Sequence, residues 1–138
     1  MPHISKNKIE KEVLKSIIDR LIDILAKLDK KPDIAFFLND LLTKTEKIML
    51  AKRLAIAIML HKNYPFGVIS RSLKVSESTI SAMRDRIDRG GKGYELVLNR
   101  LESDKSINDI LYKINQFIKI FALPPVHGKR WKFLKDAG

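Results

Sequence analysis

The segment Ile48-Met49-Leu50-Ala51-Lys52-Arg53-Leu54-Ala55-Ile56-Ala57-Ile58-Met59-Leu60 is apolar on nearly every face of a helix. A helix that is hydrophobic all round has to be buried all round. The run is too short to span a bilayer, and Lys52-Arg53 interrupts it. In a chain of 138 residues, the size of one ordinary domain, such burial is predicted to lie between two subunits. Thr43 opens the helix, and Glu46 three residues later completes a Thr-x-x-Glu capping box.

The segments on either side also read as helices. Ile9, Val13, Ile17, Leu21, Leu25 and Leu28 follow the spacing of one helix face, widened by Leu14, Ile18 and Ile22. This predicts a helix over about 6–30, stopped by Lys31-Pro32 because the residue before proline is pushed away from α geometry. A short helix over 33–42 carries Phe36, Phe37, Leu41 and Leu42. Beyond Asn63-Tyr64-Pro65, helices are predicted over 66–73, about 77–88, 94–101 and about 107–122, the last capped by Ser106. The apolar stripe of the last helix includes Ile110, Leu111, Ile114, Phe117, Ile118 and Phe121, and Pro124-Pro125 ends it. Arg89-Gly90-Gly91-Lys92-Gly93 reads as a flexible loop and the clearest internal break. No strong strand signal occurs, so the fold class is all-α.

Charge then narrows the partner. Lys and Arg number 27 against 16 Asp and Glu, a net charge of +11. The net is +2 over residues 1–45, +4 over 46–104 and +5 over 105–138. Such a surplus points to an anionic partner, with nucleic acid ahead of an anionic membrane. With no cysteine, disulfides, thiol catalysis and cysteine-bound metals are excluded. His3, His61 and His127 are too scattered for a metal cluster. The N-terminus lacks the apolar stretch of a signal peptide, which makes a cytoplasmic location the expectation.

Residues 66–88 carry the functional argument. Ile69, Leu73, Val75, Ile80 and Met83 have the spacing of a helix-turn-helix, with Ser70 small at the crossing. Lys74 occupies the turn where glycine is common. The second helix is expected to enter a major groove. It presents Glu77, Ser78, Thr79, Ser81 and Ala82 behind the cap Ser76, short side chains suited to base edges. Arg71, Lys74, Arg84, Arg86, Arg89 and Lys92 surround them as candidate phosphate contacts. Asp85 and Asp88 are read as ion-pair partners of Arg84 and Arg89 rather than a catalytic pair, and no enzymatic activity is expected. A competing reading is a helical adaptor for an acidic protein or nucleoprotein partner. The tail carries Lys129, Arg130, Lys132 and Lys135, either a nonspecific phosphate-binding arm or a solvated face, with Trp131, Phe133 and Leu134 as anchors.

Four motifs resemble the Trp repressor superfamily, and within it the YerC/YecD group. They are Leu42-Thr43-x-x-Glu46, Ala51-Lys52-Arg53-Leu54, Val75-Ser76-x-Ser78-Thr79-Ile80-Ser81 and Gly90-Gly91-x-Gly93-Tyr94-x-Leu96-Val97-Leu98-x-Arg100-Leu101. The resemblance implies a Trp-repressor-like helical domain over 1–104 with an extra N-terminal helix. A C-terminal helix and basic tail over 105–138 extend it. It also implies an intertwined homodimer that binds operator DNA and regulates transcription. In that family a threonine before the long helix and an arginine within it help hold the corepressor. Thr43 and Arg53 match them, so a small-molecule corepressor pocket is possible there, though Thr43 is fully explained as a cap, which is the favoured reading. The recognition-helix arginine that stacks on indole is replaced by Ala82. Tryptophan is therefore not expected to bind tightly, and no other cofactor is implied.

Overall fold

The computed structural model describes residues 8–120. Phe121, the Pro124-Pro125 stop, His3, His127 and the whole basic tail lie outside the described residues, as do the side chains of Ser106, Phe117 and Ile118. Among the described residues there are seven helices and no strand. The chain divides into two compact units, the first ending at Leu50 and the second beginning at Ala51.

In the first unit, α1 spans Lys11–Lys27. It ends at Leu28, which turns extended (φ −85°, ψ 113°) while its amide donates to the Leu25 carbonyl. The helix thus stops short of Lys31-Pro32, contrary to expectation. Proline instead sits in the first turn of α2, Lys31–Leu41, where a missing N–H costs no hydrogen bond. Asn39 on α2 accepts from Lys47 Nζ at 2.9 Å, which joins α2 to the start of α3, Lys44–His61.

The capping box forms as read. The Thr43 amide donates to Glu46 Oε1 at 2.9 Å, and the Glu46 amide donates to Thr43 Oγ1 at 3.1 Å. These bonds hold the Glu46 carboxyl below its ordinary value, the Thr43 backbone N–H being the larger cause. A lowered folded value means that Glu46 stabilises the fold above the unfolded carboxylate pKa. That contribution is lost as pH falls through the folded value. Thr43→Ala is expected to cost about 1 kcal/mol at neutral pH. Thr43→Ala keeps the backbone donor, so in urea melts it is Glu46→Gln whose deficit relative to wild type should narrow toward acid pH.

Within one chain the long helix is covered over only part of its length. Residues 56–60 are buried on every side, the most exposed being Leu60 at 3%. Ile48, Leu50 and Leu54 are 46%, 48% and 41% exposed. Periodicity alone reports an apolar surface, not which half the same chain covers. The covered half is the part that joins the core of the second unit.

That core collects side chains from every helix after α3. Asn63 takes a left-handed conformation (φ 62°) to end α3, as asparagine tolerates better than most residues. The Tyr64 amide then donates back to the Met59 carbonyl at 2.9 Å. Pro65 caps α4, Phe66–Leu73, and its carbonyl accepts from Val68 and Ile69. The next helices are α5, Glu77–Asp88, and α6, Lys92–Leu101. Val68, Ile69, Ile80 and Leu98 are buried against residues 56–60.

The glycine segment is a tight joint rather than a flexible break. Both Gly90 and Gly91 amides donate to the Ile87 carbonyl, and α6 already begins at Lys92. Gly90 has φ 141°, and a Cβ on Gly91 would lie 2.8 Å from the Ile87 Cα. Glycine is required there for conformation and close approach.

α7 runs Lys105–Ile120, so position 106 lies inside its first turn rather than before it, and Asp104 is the residue that precedes the helix. It lies against α4 and buries Ile107, Leu111 and Asn115. Asn115 Oδ1 accepts from the Tyr64 hydroxyl at 3.2 Å. Burial raises the Tyr64 pKa, partly offset by that bond.

Candidate nucleic-acid interface

The helix-turn-helix is built from local bonds. Ser70 on α4 donates its hydroxyl to the Val75 carbonyl at 2.7 Å, while the Val75 amide donates to the Ser70 carbonyl at 3.2 Å. Ser70 is therefore a clasp across the turn as well as a small residue at the crossing. Lys74 adopts the left-handed conformation (φ 55°, ψ 51°) that glycine often provides at a helix end. Its carbonyl accepts from Lys52 Nζ at 3.5 Å. The departure from glycine thus leaves the turn geometry intact.

Ser76 caps α5 as expected, its hydroxyl accepting from the Thr79 amide at 3.2 Å. The same oxygen lies 3.0 Å from Ser78 Oγ and 2.8 Å from Thr79 Oγ1. Three hydroxyls therefore share one hydrogen-bonded cluster at the start of α5. Each can switch between donating and accepting, so the cluster can present either sense to a base edge.

Ile80 and Met83 turn inward, with Ile87 half-buried beside them. At about 100° per residue, this leaves Ser78, Ser81, Ala82 and Asp85 on the solvent side. All twelve residues assigned from sequence are exposed: Arg71, Lys74, Ser76, Glu77, Ser78, Thr79, Ser81, Ala82, Arg84, Arg86, Arg89 and Lys92. All lie in the second unit, on α4, the turn, α5 and the joint that follows. Glu77 extends toward the start of α4, where a Cβ on Gly67 would lie 3.8 Å from Glu77 Oε1.

The ion pairs read from sequence are present with partners resolved. Arg84 Nε lies 3.3 Å from Asp88 Oδ2, and Arg89 Nε lies 3.2 Å from Asp85 Oδ2. The Arg20–Asp23 pair at 3.5 Å went unread, as did the contact between His61 Nε2 and Glu102 Oε1 at 4.0 Å, an ion pair when the imidazole is protonated. His61 and Glu102 border the C-terminal ends of their helices, and no local motif joins them.

The effector candidates are separate observations. Thr43, in the first unit, is engaged in its capping box. Arg53, in the second, is exposed. Among the described residues no group of three His, Asp or Glu side chains could hold a metal ion. No described helix is long and apolar enough to cross a membrane.

Comparison with known proteins follows the same segments. The family model for Trp repressor protein matches residues 16–102. YerC, an uncharacterized protein of Bacillus subtilis (strain 168), is 28% identical over 89 residues, covering 64% of this chain and 86% of YerC. A crystal structure of a Staphylococcus aureus protein provisionally assigned as a Trp repressor aligns with a TM-score of 0.60 at 27% identity. That alignment covers 69% of this chain and 96% of the other.

Proposed function

The chain belongs to the Trp repressor family, and from that premise we propose that it is a homodimeric, sequence-specific DNA-binding regulator of transcription. The observation that carries the DNA reading is the α4–α5 unit, whose capped second helix exposes short hydroxyl side chains with Arg71, Lys74, Arg86 and Lys92 around them. Arg71, Arg86 and Lys92 act as phosphate contacts that fix register, while Ser78, Thr79 and Ser81 face base edges.

The homodimer rests on a different observation. None of residues 8–50 has a buried side chain, although α1 carries a continuous apolar stripe. Val13, Ile17, Ile18 and Ile22 are all exposed, as are Phe36 on α2 and Ile48, Leu50 and Leu54 on α3. An apolar surface of this extent on one chain is the mark of an interface. A second copy covers it, and the buried interface has the character of a split core. Two recognition helices related by the dimer axis then enter successive major grooves, about 34–36 Å apart. The operator is correspondingly pseudo-palindromic.

Selection of bound sequences from a random duplex pool, with and without L-tryptophan, tests the reading. A two-fold related consensus is expected, unchanged by tryptophan because Ala82 offers no guanidinium to stack on indole. Thr79→Ala should alter the selected bases more than the overall affinity. Arg71→Ala should weaken binding to all sequences and flatten the salt dependence by about one unit. Failure to retain any duplex at low salt would overturn DNA binding and favour the adaptor reading.

A further inference from the structure

The recognition helix of this strongly basic chain is itself acidic. α5 carries Glu77, Asp85 and Asp88 against Arg84 and Arg86, a net charge of −1 where the whole chain has +11. Two of the three carboxylates are spent on arginines that would otherwise reach for phosphate. Asp88 holds Arg84 at 3.3 Å and Asp85 holds Arg89 at 3.2 Å. Asp85 lies four residues after Ser81 and three after Ala82, one turn along the same exposed face.

Helix stability does not account for Asp88. It is the last residue of α5, where the helix dipole disfavours a negative charge. Arg84 precedes it by four, the less favourable order for an intrahelical pair. All four side chains are well exposed, at 46% and 61% in one pair and 79% and 61% in the other. Such pairs exchange readily for a competing anion. A duplex phosphate is such an anion, but it has to displace a carboxylate that also repels the phosphate backbone.

We propose that Asp85 and Asp88 are specificity-determining residues: they keep Arg89 and Arg84 from the phosphates of unselected DNA and release them only where the base-edge contacts of α5 are already made. This rests on the DNA-binding reading above. On a random duplex the arginines stay in their intrahelical pairs, and nonspecific affinity comes from Arg71, Arg86 and Lys92. At a selected site the serine and threonine contacts bring the phosphates close enough to win the exchange. The acidic residues thus lower affinity for wrong sequences more than for the right one, a repulsive route to discrimination.

The test compares the full-length parent, Asp88→Asn and the double variant Arg84→Ala/Asp88→Asn. Each is titrated with a random duplex and with the selected site across a salt series. One further phosphate neutralised steepens the salt dependence by about 0.9, about eightfold in affinity per tenfold change in salt. Asp88→Asn is expected to bind the random duplex about three- to tenfold more tightly at 0.1 M salt, with a slope steeper by about one unit. The selected site should gain less, so the specificity ratio falls. The double variant should return to the parental slope. Its thermal midpoint offers a control, since loss of a C-terminal negative charge should not lower it. Asp85→Asn, read against Arg89→Ala, repeats the test at the second pair should Asp88→Asn fold poorly.

An unchanged slope in both Asp→Asn variants overturns the proposal. So does a gain that persists in the double variant, because release of the arginine would then play no part. A parent that binds no duplex even at low salt overturns the DNA reading itself, and this inference falls with it.

Discussion

Ile56→Asp is expected to abolish the cooperative thermal transition altogether. Ile56 is 1% exposed, among the largest fully buried side chains of the second unit. An aspartate there would put a carboxylate into a buried apolar cluster. Uncompensated buried charge costs about 3–5 kcal/mol, and loss of the isoleucine packing adds about 2–5 kcal/mol. Domains of this size are stable by only about 5–15 kcal/mol in total. Circular dichroism should show loss of helix, and sedimentation should show loss of the proposed dimer in the same sample. A variant with the parental melting curve would mean that the core does not close over residues 56–60.

Leu111→Ala is expected to destabilise the protein by about 2–5 kcal/mol, as much as a truncation in the centre of a core. Leu111 is 1% exposed, yet it lies on α7, beyond the last residue matched by the family model at 102. The additional helix is thus integrated with the helix-turn-helix rather than appended to it. Ile107 and Leu111 share one buried cluster with Val68 and Ile69 of α4. Chemical denaturation of parent and variant measures the effect. A change below about 1 kcal/mol, the range of surface substitutions, would show that α7 sits loosely on α4.

Much of the helix-turn-helix was legible because its determinants are local. Pro65, Ser76 and the apolar offsets from Ile69 to Met83 fixed α4 and α5 at the expected residues. Capping and turn chemistry acts over three or four residues, and a sequence displays it directly. Long-range determinants were not legible in the same way. The Tyr64–Asn115 bond joins residues 51 apart, and neither residue carries a signal of its partner. Gly90 and Gly91 read as flexible because glycine permits many conformations. Their actual constraint, the approach to Ile87, is tertiary. The apolar pattern of α3 records the demand for cover and not its source: one chain covers residues 56–60 and leaves Ile48, Leu50 and Leu54 exposed.

The place of α7 in the chain order has a consequence for synthesis. The helix-turn-helix is complete at Asp88, but the residues that close its far side, Ile107, Leu111 and Asn115, come later. At about 5–20 residues per second, the ribosome adds the stretch from 88 to 120 in roughly 2–6 s. Throughout that interval the nascent helix-turn-helix has α4 and α5 but lacks the side chains that finish its core. The helix-turn-helix core is therefore completed only by the last described helix, and a prematurely ended chain would carry α4 and α5 without the side chains that close their core.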